Sequence, residues 1–119
     1  NRAFTQLTWD YESLGLRNAS VAYSLLGRSE TALALGQAQA AQSAAEQALA
    51  LAQQLQGKRA HSLATGRSWL ALAQAQQALG ATDPARKSVR QARELLDASV
   101  GRDHVLSRSA QRLDHSLNS

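Results

Sequence analysis

Glycine spacing constrains this chain more than any other feature. Gly15, Gly57 and Gly101 follow one another at intervals of 42 and 44 residues, and Gly36 and Gly80 form a second series spaced by 44. Each of these glycines follows an apolar pattern of helical period. Glycine just past a helix end takes up the left-handed backbone conformation that closes the last turn. Two interleaved series of one period therefore predict two helices per repeating unit. The links between them are short, which favours antiparallel hairpins of neighbouring helices.

On this reading residues 1–119 form a single all-α domain of about six helices. Hairpin repeats occupy about 18–57 and 60–101, with flanking helices at 3–16 and 104–117. The first flanking segment sets Phe4, Leu7, Tyr11 and Leu14 on one face at spacings of three and four, the mark of an amphipathic helix. Asn18 and either Thr82 or Asp83 are read as N-caps, and Pro84 falls where a first helical turn tolerates it. Composition agrees: the 44% hydrophobic share is mostly Ala and Leu, aromatics make up 4%, and there is one proline. These are helix formers. The β-branched aliphatics are only Val21, Val89, Val100 and Val105, with no Ile, which sets the β classes aside.

The segment from Trp69 to Leu96, WLALAQAQQALGATDPARKSVRQARELL, spaces Trp69, Leu72, Ala73, Ala85, Val89 and Ala92 as W-x2-L-A-x11-A-x3-V-x2-A. This resembles the tetratricopeptide-repeat pattern. Small Ala85 and Ala92 let the second helix approach the first, while Trp69, Leu72 and Val89 fill the space between. Gln76 departs from the bulky aromatic usual at its place. Moving back 44 residues puts Leu25, Ser29, Leu35, Gly36, Ala41, Ala45, Ala48 and Leu51 in corresponding positions, but Arg28 stands where Leu72 predicts an apolar residue. After Gly101 a partial copy matches His104 to His61, Leu106 to Leu63 and Leu113 to Leu70. The period exceeds the usual ~34 and is similar to the longer repeats of kinesin light chain and of many bacterial signalling proteins. The resemblance implies hairpins stacked as a short right-handed superhelix whose first helices line a ligand groove. With Trp69 as buried anchor, it implies a groove lined by Arg67, Leu70, Gln74 and Gln77, and in the earlier unit by Tyr23, Leu26, Glu30 and Leu33. Of these the leucines also suit simple packing, whereas Arg67, Gln74 and Gln77 could hold the backbone or carboxylate of an extended peptide.

Net charge is +4 but unevenly placed. Up to Gln56, three basic residues face four acidic ones; from Gly57 onward, ten basic residues face five. Within the basic half, Arg86, Arg90 and Arg93 fall at spacings of four and three with Lys87 beside them, a patch for an anionic partner or simply a solvated face. No aromatic residue is interleaved with them in sequence to stack on bases, so nucleic acid ranks behind protein as the partner.

Enzymatic chemistry finds little material. Without cysteine there is no thiolate nucleophile, Cys-ligated metal or disulfide. Gly80–Ser88, GATDPARKS, has Arg86 where a phosphate-binding loop needs glycine before its lysine, and Ala81 at the first glycine position. His104 and His115 lie eleven residues apart, about 16 Å along a helix and too far for one ion. No serine sits in a nucleophile-elbow context, and the Asn18-Ala19-Ser20 sequon is better used as a helix start. No metal and no cofactor are expected. The longest uncharged stretch, 31–45, is studded with Gln37, Gln39, Gln42 and Ser43 and too polar to span a bilayer. A soluble, cytoplasmic protein is expected, and a chain beginning at Asn1 reads as an excised or processed piece of a larger one. The leading functional expectation is a non-catalytic scaffold binding a peptide or partner helix within a signalling, regulatory or assembly protein. Self-association through Trp9 or the flank near Leu113 and Leu117 is a further expectation. The alternatives are a basic nucleic-acid-binding helical domain and a sensor domain controlling an attached catalytic or DNA-binding domain.

Overall fold

A computed structural model of the chain describes residues 11–54 and 62–118, with side chains at 20–54 and 63–118. The described residues form five helices: α1 (Tyr11–Ala34), α2 (Ala38–Gln54), α3 (Ser62–Ala78), α4 (Thr82–Val100) and α5 (Val105–Leu117). The fold is all-α, and consecutive helices pack on one another. Contact is most extensive between α3 and α4, then between α1 and α2 and between α2 and α3. In addition α1 meets α3, and α3 meets α5, whereas α2 and α4 hardly touch. The odd-numbered helices thus approach one another while the even-numbered ones stand apart.

The two hairpin turns close with the same pair of backbone bonds. At the end of α1, Gly36 adopts φ 77°; its N–H donates to the Leu33 carbonyl at 3.1 Å and the Gln37 N–H to the Ala32 carbonyl at 2.8 Å. Forty-four residues on, Gly80 adopts φ 81°, its N–H donates to Gln77 at 3.0 Å and the Ala81 N–H to Gln76 at 2.8 Å. This pair of bonds satisfies carbonyls that a helix end otherwise leaves orphaned, and it requires the positive φ that glycine supplies at least cost. The next helix then starts at once, with Ala41 donating to the Gln37 carbonyl and Ala85 to that of Ala81.

Three expectations about helix ends are corrected by this geometry. The N-cap of α4 is Ala81, with no side-chain cap bond, because the glycine turn itself fixes where the next helix begins; Thr82, Asp83 and Pro84 follow in the first turn. Helix α1 runs unbroken through Gly15 and Asn18, so neither ends or caps a helix there: Leu14 and Leu16 continue the apolar pattern across the glycine. Residues 3–10 of the first expected helix, and Gly57, lie outside the described residues. Five helices are described where six were expected.

Small side chains set how closely the helices pack. Ala41, Ala45, Ala48 and Ala52 of α2 are fully buried, as are their equivalents Ala85, Val89, Ala92 and Leu96 of α4. One core cluster joins Leu25, Leu26, Ala45, Ala48 and Leu49 to Ala71 and Leu72, and so ties the first hairpin to α3. A second unites Leu70, Ala73, Val89 and Leu96 with Ala110, Leu113 and Leu117 of α5. Trp69 is partly buried and packs against both. Within α3, Gly66 lies so near α4 that a Cβ there would stand 3.1 Å from Leu95 Cβ and 3.1 Å from Leu96 Cγ, while Gly27 of α1 faces open space.

Helix α5 is fastened at both ends. The His104 imidazole takes the N-cap role, its Nδ1 accepting the Leu106 N–H at 3.1 Å. At the far end Arg86 of α4 donates from Nε at 3.0 Å and from Nη2 at 2.9 Å to the Leu117 carbonyl, a group left without an intrahelical donor.

Two predictions follow from these close approaches. Gly27→Ala should raise stability by about 0.5–1 kcal/mol, the ordinary helical gain of alanine over glycine with nothing in the way; Gly66→Ala should gain distinctly less, since Leu95 and Leu96 must give. Ala92→Leu should cost ~1–3 kcal/mol by overpacking the α3–α4 interface. Urea denaturation followed by circular dichroism measures all three.

Candidate functional site

Tyr23 and Glu30 lie seven residues apart on α1, close to two turns, and so share one face of the helix. Arg67 reaches that face from α3. Its Nε and Nη2 donate to Glu30 Oε1 at 3.2 and 2.8 Å, and its guanidinium carbon stands 6.0 Å from the centre of the Tyr23 ring. The ion pair is half exposed, at 30% for Arg67 and 46% for Glu30, which limits its value to the fold to well under ~1 kcal/mol. It does order the guanidinium, whose remaining N–H groups stay available to an acceptor from outside. Tyr23 is exposed over 40% of its surface.

Farther along α3, Gln74 is half-buried and Gln77 is exposed, with Gln77 Nε2 donating to Ser116 Oγ of α5 at 3.5 Å. Five of the eight residues expected to line a groove, Tyr23, Glu30, Arg67, Gln74 and Gln77, therefore stand on adjoining faces of α1 and α3. Leu70 does not: it is 4% exposed and belongs to the core with Ala110, Leu113 and Leu117, because α5 packs over the place where the groove would have continued. Leu26 is buried likewise and Leu33 partly so. Ser116 joins the row without having been foreseen, since nothing distinguishes it in sequence from the other scattered serines.

The basic stripe of α4 splits in two. Arg86 is held by the Leu117 carbonyl and by Asp83 Oδ1 at 3.0 Å, and Arg93 by Asp114 Oδ2 at 2.7 Å. Seven residues apart, both face α5 and serve to dock it. Lys87 and Arg90 are exposed and, with Gln91 and the partly buried Trp69, line a surface cleft of about 420 Å³. Sequence reading missed this grouping because Trp69 lies on a different helix, 18 residues before Lys87. Trp69 is thus not fully the buried anchor expected of it.

The other motifs resolve into local structure. Gly80–Ser88 is the α3–α4 turn and the first turns of α4, and Ser88 Oγ donates to Gln76 Oε1 at 2.7 Å. This bond explains why a glutamine suits the position where an aromatic was expected. His104 is a helix cap, and His61 and Trp9 lie outside the described residues. On the flank near Leu113 and Leu117, read as a place for self-association, both leucines are buried against α4 and are not themselves exposed. Among the described residues no three His, Asp or Glu side chains converge as a metal site, and no helix is long and apolar enough to cross a membrane. Comparison with family models, curated proteins and solved structures finds no match to this chain.

Removing Arg86 tests its docking role. Arg86→Ala should lower stability by about 1 kcal/mol, allowing for its partial exposure, and should speed amide exchange in α5 more than in α1 or α2. Arg90→Ala should leave both unchanged. Hydrogen–deuterium exchange read helix by helix separates the two outcomes.

Proposed function

We propose that the chain is a non-catalytic binding scaffold of tetratricopeptide-like helical hairpins, whose odd-numbered helices present a row of side chains to an extended peptide or a partner helix. The observation that carries this reading is the meeting of Tyr23, Glu30 and Arg67 across the α1–α3 boundary, continued by Gln74 and Gln77. An ion pair worth little to stability, an exposed aromatic ring, the Gln74 amide and a Gln77 amide held only by a long bond to Ser116 form a polar and aromatic surface suited to recognition. Closer approach of the odd-numbered helices than of the even-numbered ones supports an arrangement curved toward that row, as in stacked helical repeats. Backbone amides and carbonyls of an extended segment would meet the Gln74 and Gln77 side chains, and an acidic group would meet the outward N–H groups of Arg67.

Nucleic acid is a weaker reading of the basic half. On α4, Arg86 and Arg93 are committed to α5, which among the described residues leaves only Lys87 and Arg90 of that stripe unpaired, where a backbone-tracking stripe needs several.

Selection of displayed peptides against the unaltered chain tests the proposal. Selected peptides should lose about tenfold or more in affinity for the Arg67→Ala, Gln74→Ala double variant, with helicity retained by circular dichroism, and little for Arg90→Ala. Binding that ignores the double variant would remove the row from recognition. A collapse of binding between low and moderate salt, with preference for oligonucleotides over peptides, would favour the nucleic-acid reading instead.

A further inference from the structure

We propose that the cleft lined by Trp69, Lys87, Arg90 and Gln91 is a second ligand site, for a small planar aromatic group bearing a phosphate or a carboxylate. It draws three of its four side chains from α4, which contributes nothing to the Tyr23–Arg67 row, and so it stands apart from the scaffold reading.

The chemistry of the lining points to such a ligand. Trp69 is fixed from behind by packing against both core clusters, while its remaining surface opens to the cleft. A ring held in this way is a preorganised stacking face. Among the described residues Lys87 and Arg90 make no hydrogen bond or ion pair, unlike Arg86 and Arg93 on the same helix. Two cations one helical turn apart beside an indole favour an anion carried on an apolar ring, with Arg90 able to engage it through two N–H groups. The Gln91 amide offers a donor and an acceptor to the edge of that ring. A volume of about 420 Å³ lies within the ~300–1,000 Å³ usual for small-molecule sites. It suits one ring system with its anion, and a single indole gives one stacking place, where a nucleic-acid strand needs a succession.

The first hairpin supplies an internal control. Forty-four residues earlier the same cleft recurs at about 300 Å³, with Leu25 in the place of Trp69, Ser43 in that of Lys87 and Gln47 in that of Gln91; Glu46 stands at the position of Arg90. Its one cation, Arg28, comes from the other helix. The first hairpin therefore forms with neither an indole nor a cation from its second helix at this cleft, so hairpin formation alone does not account for Trp69, Lys87 and Arg90 in the second unit.

Fluorescence of Trp69 in a Trp9→Phe variant provides the direct test, paired with the shift of the Trp69 indole N–H resonance in the unaltered chain. The probes are adenosine monophosphate, benzoate, adenosine and inorganic phosphate. Adenosine monophosphate or benzoate, or both, should give a saturable response in both measurements, and which of them responds separates phosphate from carboxylate. Lys87→Gln with Arg90→Gln should weaken it about tenfold or more, whereas Arg67→Ala with Gln74→Ala should leave it unchanged, which separates this site from the peptide row. The proposal is overturned if neither anion gives a saturable response, if adenosine or inorganic phosphate alone binds as well, or if the Lys87, Arg90 double variant binds like the unaltered chain.

Discussion

Close approach of alanine-faced helices is the constraint on which the rest of this structure depends. Fourteen of the 23 buried hydrophobic residues described are alanine, and each removes far less apolar surface from water than a leucine would. Such a core is worth something only if the helices come near enough for methyl groups and backbones to interlock at crystal-like density. Gly66 against Leu95 and Leu96 marks the limit of that approach. It also explains why the core is distributed along the stack: no single hairpin buries enough, and Leu72 of one unit must be covered by Leu25, Leu26 and Leu49 of the one before it. Stability of this kind accumulates between neighbours.

That dependence on neighbours accounts for what the sequence made legible and what it did not. The turn glycines Gly36 and Gly80 could be read directly, since a positive φ is a local demand that glycine meets best. Gly15 misled for the same reason in reverse. Identical in type, it sits inside a continuous apolar pattern, and nothing after it compels the chain to turn. Arg28 looked like a defect in the first repeat because its equivalent Leu72 is apolar. In the fold Leu72 faces a preceding hairpin, whereas Arg28 borders an open cleft and is exposed. Leu70 failed as a groove residue because α5 covers it, and whether a helix covers a given face is a tertiary fact that spacing within one segment does not contain.

Polar groups inside the hairpins follow the same logic of paired positions. In the first unit Ser29 Oγ donates to the Ala41 carbonyl at 2.8 Å, while its equivalents Ala73 and Ala85 in the second are both alanine and fully buried. One helical turn along, the second unit places the Ser88–Gln76 bond where the first has Ala44 and Ala32. The two units thus place these satisfied polar contacts between their helices at different levels. A buried hydroxyl without a partner would cost ~1–3 kcal/mol, so residues at facing levels must change together. Gln76 can therefore be polar at its level without loss of the hairpin.

Charge is apportioned by the same geometry. Side chains of α4 that face α5, Arg86 and Arg93, find a carbonyl and a carboxylate there, and become part of the fold. Arg90, three residues from Arg93 but turned away from α5, finds none. Desolvating a guanidinium is costly unless its hydrogen bonds are met, so an arginine that packs nowhere remains exposed and free to meet an outside anion. Arg67 shows the intermediate case. Glu30 fixes its position while leaving N–H groups uncommitted, at a boundary between two units where small shifts in stacking would change the distance between α1 and α3. The geometry of that row is consequently tied to how closely the hairpins pack, and substitutions in the alanine interface, remote from any exposed side chain, would be felt there first.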